Sequence, residues 1–209
     1  VTETFKPSTT SCPLLYDLTT LQREANQRFG FSAKTTLAIA QALYEKHKVL
    51  TYPRTDARAL PEDYIPSVKE IMHMLVESPW GQFAKEVLKN NWVTFNKKIF
   101  NNAKISDHFA IIPTTQKVPA SLSEAEQKIY DLVVKRFLAI FFPPAQFKNI
   151  TRITDVEKYS FLSEGKVLES PGWLAVYGKG ADAVGQEVMV PIQQNEPAAV
   201  EHIESQQLA

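Results

Sequence analysis

Apolar residues recur at helical spacing through the first two-thirds of the chain and at alternate positions thereafter. Cap-type residues Asp17-Leu18-Thr19-Thr20 precede Leu21–Phe29, and Gly30 follows as a stop signal, which predicts a first helix. Ser32 caps a second segment from Ala33 to about His47, with Leu37, Ala40, Leu43 and Tyr44 on one side. A short β-like run, Val49-Leu50-Thr51-Tyr52, comes next. Leu60-Pro61-Glu62-Asp63 opens a further helix to about Glu77, whose apolar face is Ile65, Val68, Ile71, Met72 and Leu75. Pro66 falls in its first turn, where a missing N–H is tolerated. Another helix covers about Gly81 to Asn90. Residues 91–105 are polar and basic with scattered aromatics, a pattern shared by solvated loops and nucleic-acid-facing ones.

Ser123-Glu124-Ala125-Glu126 is a capping box, and the helix it starts runs to about Phe141 before Phe142-Pro143-Pro144 stops it. Beyond residue 147 the period becomes two. Phe147–Val156, Tyr159–Ser163 and Lys166–Leu168 read as strands, with turns at 155–158 and 163–165. Trp173–Tyr177 and Glu187–Val190 are further short strand candidates, and the chain is polar and linker-like from Gln193. Residues 1–16 are rich in Thr, Ser and Pro and read as a connector or an incoming strand end. The expected class is α+β. An α-rich block, about 13–118, precedes a helix and a β-rich block, 119–209. Residues 1–12 are expected to lie with the later block, which makes the helical block an insertion carried on a β arm.

The composition narrows the options. At 44% hydrophobic the 209 residues can build a sizeable core. Acids and bases balance, 23 against 23, so nucleic-acid contact must come from local patches. A lone Cys12 excludes an intramolecular disulfide framework and a cysteine zinc cluster, and fits a reducing compartment. The apolar runs are too short for a membrane helix. The chain opens on Val1 and closes on a polar tail, and both ends read as cut from something longer.

The chemistry concentrates in Leu50-Thr51-Tyr52-Pro53-Arg54-Thr55-Asp56. Residues i and i+2 of an extended chain point the same way, so Tyr52 and Arg54 can face a common point. A phenol with a pKa near ~10 is a poor nucleophile unless a cation stabilises the phenolate or the anion it attacks. Arg54 supplies a permanent charge whose planar fork matches phosphate. Taken alone, the run also fits an ordinary surface turn. His108, in Ser106-Asp107-His108-Phe109-Ala110-Ile111-Ile112-Pro113-Thr114, fits a packed or capping histidine as well as a phosphate donor. The two helices around the Gly-Phe-Ser turn form a helix-turn-helix-like pair, compatible with DNA binding and with plain helical packing.

Three motifs occur in one order: Asp17–Asn26 leading into Gly30–Leu37, then Leu50–Asp56, then His108–Thr114. Together they resemble the type IA DNA topoisomerases, nearest the bacterial topoisomerase III branch, over about residues 13–177. The resemblance implies a winged-helix-like (CAP-like) domain at 13–118. It implies that 1–12 and 119–209 are the two halves of a β-rich hinge domain of a toroidal enzyme. The tyrosine matching Tyr52 attacks a single-strand phosphodiester, forming a 5′-phosphotyrosyl bond and freeing a 3′-hydroxyl. Another strand then passes through the gap and religation follows. Arg54 and His108 are expected at the scissile phosphate. Thr51 is expected to shape the loop and, with Arg23, Arg28 and Lys34, is a candidate DNA contact. For those three cations solvated helix charges are an equal reading.

No glycine-rich phosphate loop is present and a covalent intermediate conserves the bond energy, so ATP is not expected. The family's Mg2+ ligands, its glutamate for proton transfer and its active-site lysine belong to an acidic domain with no counterpart in this sequence. Ala57 stands where the family often has serine. The resemblance therefore implies a chain that is inert alone and monomeric. Its partners would be single-stranded DNA and the remaining parent polypeptide, in the bacterial cytoplasm at the chromosome. The competing expectation is a non-catalytic helix-turn-helix DNA-binding module.

Overall fold

The computed structural model describes residues 1–178. The chain forms two compact units, one of residues 11–143 and 173–178, the other built on 1–10 and 144–172.

In the first unit, α1 spans Leu18–Phe29 and α2 spans Ala33–Glu45. Asp17 makes a full capping box with Thr20, and Gly30 closes α1 at φ 70°, a left-handed position that costs glycine nothing. The Ser32 hydroxyl accepts from Thr35 N–H at 3.0 Å and starts α2. α3, Ile65–Leu75, begins later than its sequence signal at Leu60. Leu60 is instead committed to backbone pairing, donating to Ile99 at 2.7 Å and accepting from Asn101 at 2.9 Å. α4 covers Gly81–Lys89.

α5, Glu124–Ala139, starts on the capping box of Ser123 and Glu126. Its Ile129, Tyr130, Leu132, Val133, Val134, Phe137, Leu138 and Ala139 are all buried, so it is covered on more than one face. It packs on α1, α2 and α4 at the centre of the core, rather than with the later block where the sequence suggested it.

The second unit is an antiparallel sheet in the order β1-β2-β3. β1 is Thr2–Thr10, β2 is Ala145–Val156 and β3 is Tyr159–Ser170. The incoming strand expected near the start is thus real, and it pairs with β2 with Glu3 opposite Arg152. Those two side chains form an ion pair at 2.6 Å.

Three strand expectations need correction. The turn proposed at Ser163-Glu164-Gly165 does not form, because β2 offers these residues ladder partners Arg152, Thr151 and Ile150 and β3 continues through them. Val49–Tyr52 makes only a single bridge, Leu50 opposite Pro113, because Pro53 and Pro113 lack the N–H groups a longer ladder requires. Trp173–Tyr177 is part of a 3-10 helix, Gly172–Tyr177. Gly172 at φ 47° turns the chain, Trp173 N–H bonds Pro143 C=O at 3.0 Å, and Leu174 and Val176 are buried. Glu187–Val190 lies outside the described residues.

Candidate active site

The loop after α2 is fastened to the segment carrying His108 by a dense set of local bonds. Thr51 N–H donates to Ile112 C=O at 3.0 Å. The Thr51 hydroxyl donates to Ala110 C=O and accepts from Ile112 N–H, both at 2.9 Å. Thr114 N–H donates to Val49 C=O at 3.0 Å. The buried Thr55 hydroxyl donates to His108 C=O at 2.9 Å and accepts from Ala57 N–H at 3.0 Å. The first motif joins the same knot, since Leu18 N–H donates to Thr55 C=O at 3.0 Å and Ile111 N–H donates to Tyr16 C=O at 2.8 Å.

This lattice brings Tyr52 and His108, 56 positions apart in the sequence, into ring contact, centroid to centroid 4.2 Å. The other neighbour of the Tyr52 ring is Tyr44 of α2, edge-on at 5.4 Å. Tyr52 is half-buried, and its hydroxyl has no hydrogen-bond partner among the described residues. Arg54 is exposed. Arg54 Nη2 donates to the carboxamide oxygen of Gln41 on α2 at 3.4 Å. The guanidinium is therefore oriented by a neutral partner, and its charge stays uncompensated by any carboxylate among the described residues. A positioned phenol, an imidazole against it and an unneutralised guanidinium can serve attack on a phosphodiester as nucleophile, hydrogen-bond donor and anion partner.

The remaining candidates divide. Thr51 belongs to the lattice. Arg28 is engaged elsewhere: it pairs with Glu24 at 2.8 Å and lies over the Tyr177 ring at 5.8 Å. Arg23 and Lys34 are exposed on α1 and α2.

The fold also assembles groups the sequence did not single out. Arg136 of α5 is buried and donates to Glu24 Oε2 at 2.7 Å, to Leu14 C=O at 2.9 Å and to the Tyr177 hydroxyl at 3.1 Å. Its guanidinium lies 4.3 Å from the Tyr16 ring centroid, and the Tyr16 hydroxyl donates to Glu24. Burial works against the Arg136 charge, and the surrounding oxygens of Tyr16, Tyr177 and Glu24 more than offset it. Burial also pushes the Tyr177 phenol up to about 12, with Arg136 opposing the shift.

A family model described as DNA topoisomerase matches residues 1–209, the whole chain. The DNA topoisomerase 3 of Bacillus licheniformis is 47% identical over 166 residues, covering 79% of this chain and 23% of that protein. The DNA topoisomerase 3 of Bacillus cereus is 42% identical over 198 residues, covering 91% and 27%. The chain belongs to the type IA DNA topoisomerase family. It spans about a quarter of the length of these relatives. The full-length topoisomerase I of Thermotoga maritima shares the fold, with a TM-score of 0.66 at 23% identity over 93% of this chain and 31% of that one.

Within this topoisomerase chain the described residues do not gather a metal site. No group of three His, Cys, Asp or Glu side chains converges among the described residues. Asp56, the acid of the Tyr-Arg loop, faces Ser106 at 3.4 Å. No described helix is long and apolar enough to cross a membrane.

Proposed function

We propose that this chain carries the nucleophile of a bacterial type IA topoisomerase of the topoisomerase 3 kind. The observation that carries the reading is the Tyr52–His108 ring contact beside Arg54, whose charge faces only a neutral amide. Tyr52 Oη, its proton passing to a proton-transfer group supplied by the rest of the parent, attacks the phosphorus of a single-stranded DNA phosphodiester. The P–O3′ bond breaks, the 3′ oxygen leaves as a hydroxyl after taking a proton, and the 5′ phosphate stays on Tyr52. Arg54 offsets the charge that builds on the non-bridging oxygens, and His108 donates a hydrogen bond to the same phosphate. The phosphotyrosyl link conserves the bond energy, so religation needs no ATP.

In this proposal the unit of residues 11–143, α5 included, is the winged-helix-like gate domain, and the sheet built on 1–10 and 144–172 belongs to the β-rich hinge. Mg2+ and the proton-transfer groups come from elsewhere in the parent, whose work is relaxation and decatenation of chromosomal DNA. The 209-residue chain alone is then inert and monomeric.

The test is covalent trapping on labelled single-stranded DNA. The full-length parent forms the adduct, while its Tyr52→Phe variant and the isolated chain do not. Adduct on the Tyr52→Phe parent refutes the assignment. The connection of α1 to α2 by Gly30-Phe31-Ser32 keeps a plain helix-turn-helix module as the competing reading. Tight, sequence-specific duplex binding by the isolated chain would favour that module. Weak, salt-sensitive binding to single strands fits the topoisomerase reading.

A further inference from the structure

We infer that Thr55 is the positioning residue that fixes His108 against Tyr52, an inference that rests on the catalytic reading of Tyr52. Thr55 is 7% exposed and is one of three buried polar side chains among the described residues, with Thr36 and Arg136. Thr36 answers only its own helix, bonding Ser32 C=O at 3.0 Å. Arg136 sits in the Glu24 network. Thr55 alone of the three binds the loop of the site.

Its three polar connections run to three different stretches of chain. The hydroxyl donates to His108 C=O at 2.9 Å. The same oxygen accepts from Ala57 N–H at 3.0 Å, closing the turn behind Arg54. Its carbonyl accepts from Leu18 N–H at 3.0 Å, tying the loop to the start of α1. His108 itself is exposed, and no side-chain hydrogen bond among the described residues holds its imidazole. Thus the ring is placed by its backbone, and Thr55 is the side chain that grips that backbone. Thr51 cannot substitute, since its hydroxyl reaches Ala110 and Ile112, further along the segment. A hydroxyl is required on chemical grounds, because one atom must both donate to a carbonyl and accept from an amide. Valine keeps the shape and supplies neither bond, leaving the buried Ala57 N–H unpaired and the His108 C=O without its anchor.

The test has a spectroscopic arm and a kinetic arm. In the wild-type chain the Thr55 hydroxyl proton exchanges slowly with water and shows a cross-peak to the amide proton of Ala57, which donates to the same oxygen. A fast-exchanging hydroxyl overturns the inference without any variant. Tyr52–His108 ring cross-peaks persist in Thr55→Ser and weaken in Thr55→Val. A folded Thr55→Val chain with wild-type ring cross-peaks, or a Thr55→Ser chain that loses them, overturns it.

In the full-length parent, Thr55→Val lowers the rate of cleavage on the order of 10²-fold, the cost of misplacing a reacting group by about 1 Å. Affinity for single-stranded DNA stays within a few-fold, and Thr55→Ser restores the rate. A change in affinity with an unchanged cleavage step would mark a merely structural role and refute positioning. Tyr52→Phe run alongside separates the two readings. Cleavage by that variant sinks the nucleophile assignment and leaves the ring-contact arm to decide Thr55. No cleavage by it, together with wild-type cleavage by Thr55→Val, sinks Thr55 alone.

Discussion

Replacing Arg136 with methionine keeps most of the side-chain volume in α5 and removes the charge, so it isolates the polar network from packing. The wild-type guanidinium makes three hydrogen bonds, to Glu24, Leu14 C=O and the Tyr177 hydroxyl, and covers the Tyr16 ring. Its side chain is 9% exposed and that of Glu24 is 16% exposed, so water replaces little of what is lost. Breaking a buried ion pair by deleting one partner costs ~3–5 kcal/mol. Glu24 retains Arg28 at 2.8 Å and the Tyr16 hydroxyl, which places this case at the low end, about 3 kcal/mol. For a chain of this size each kcal/mol shifts Tm by roughly 2–4 °C, so the variant should melt about 6–12 °C lower.

Circular dichroism melts and urea titrations of both proteins measure this, and the loss should change little between low and high salt because the pair is buried. A second variant, Glu24→Gln, and the double variant close a cycle. Coupling of ~0.5–3 kcal/mol is expected for residues in one network. A Tm within about 2 °C of wild type, or additive losses, would show that the network holds nothing beyond what packing already holds.

Gln41→Glu should pair Arg54 with a carboxylate and reduce strand cleavage by the full-length parent. Gln41→Ala should reduce it less, and equal activity of wild type and Gln41→Glu would remove the uncompensated charge from the mechanism. Tyr130→Phe deletes a buried hydroxyl with no hydrogen-bond partner among the described residues, so it should be neutral or stabilising by up to ~1 kcal/mol. A clear drop in its melting temperature would reveal a partner for that oxygen. Burial raises the Cys12 thiol from its ordinary value of 9.0 to about 12, with Arg136 opposing the shift. Between those values the unfolded chain has lost a proton that the folded chain keeps, so stability should fall as pH rises above 9. Urea midpoints at pH 8 and pH 10 check this: the fall should be smaller in Cys12→Ser, and identical slopes would refute it.

The helices were legible because each carries its own signals within a few residues. Asp17, Ser32 and Ser123 cap, Gly30 stops, and the apolar faces repeat at the right spacing. The candidate site was legible only as a conjunction, since Tyr-Pro-Arg alone reads as a turn and its proposed role came from the motifs before and after it. What escaped were the contacts made across long stretches of chain. Thr55 meets His108 across 53 positions and Arg136 meets Glu24 across 112, and no local pattern encodes either. The β3 error has a related cause. Ser163-Glu164-Gly165 carries turn residues, but whether a turn forms depends on the partners a neighbouring strand offers. Trp173–Tyr177 alternates like a strand, yet Pro143 C=O and the Arg136 guanidinium capture its ends.

Gln41 and Tyr44 lie three positions apart on α2, so they share a face of the helix. One grips Arg54 and the other abuts Tyr52. The spacing between the Tyr52 ring and the Arg54 guanidinium is therefore set from a single rigid rod. Under the proposed function, nucleophile and anion clamp would reach a strand already aligned with each other, and only their joint placement on the DNA would have to be found.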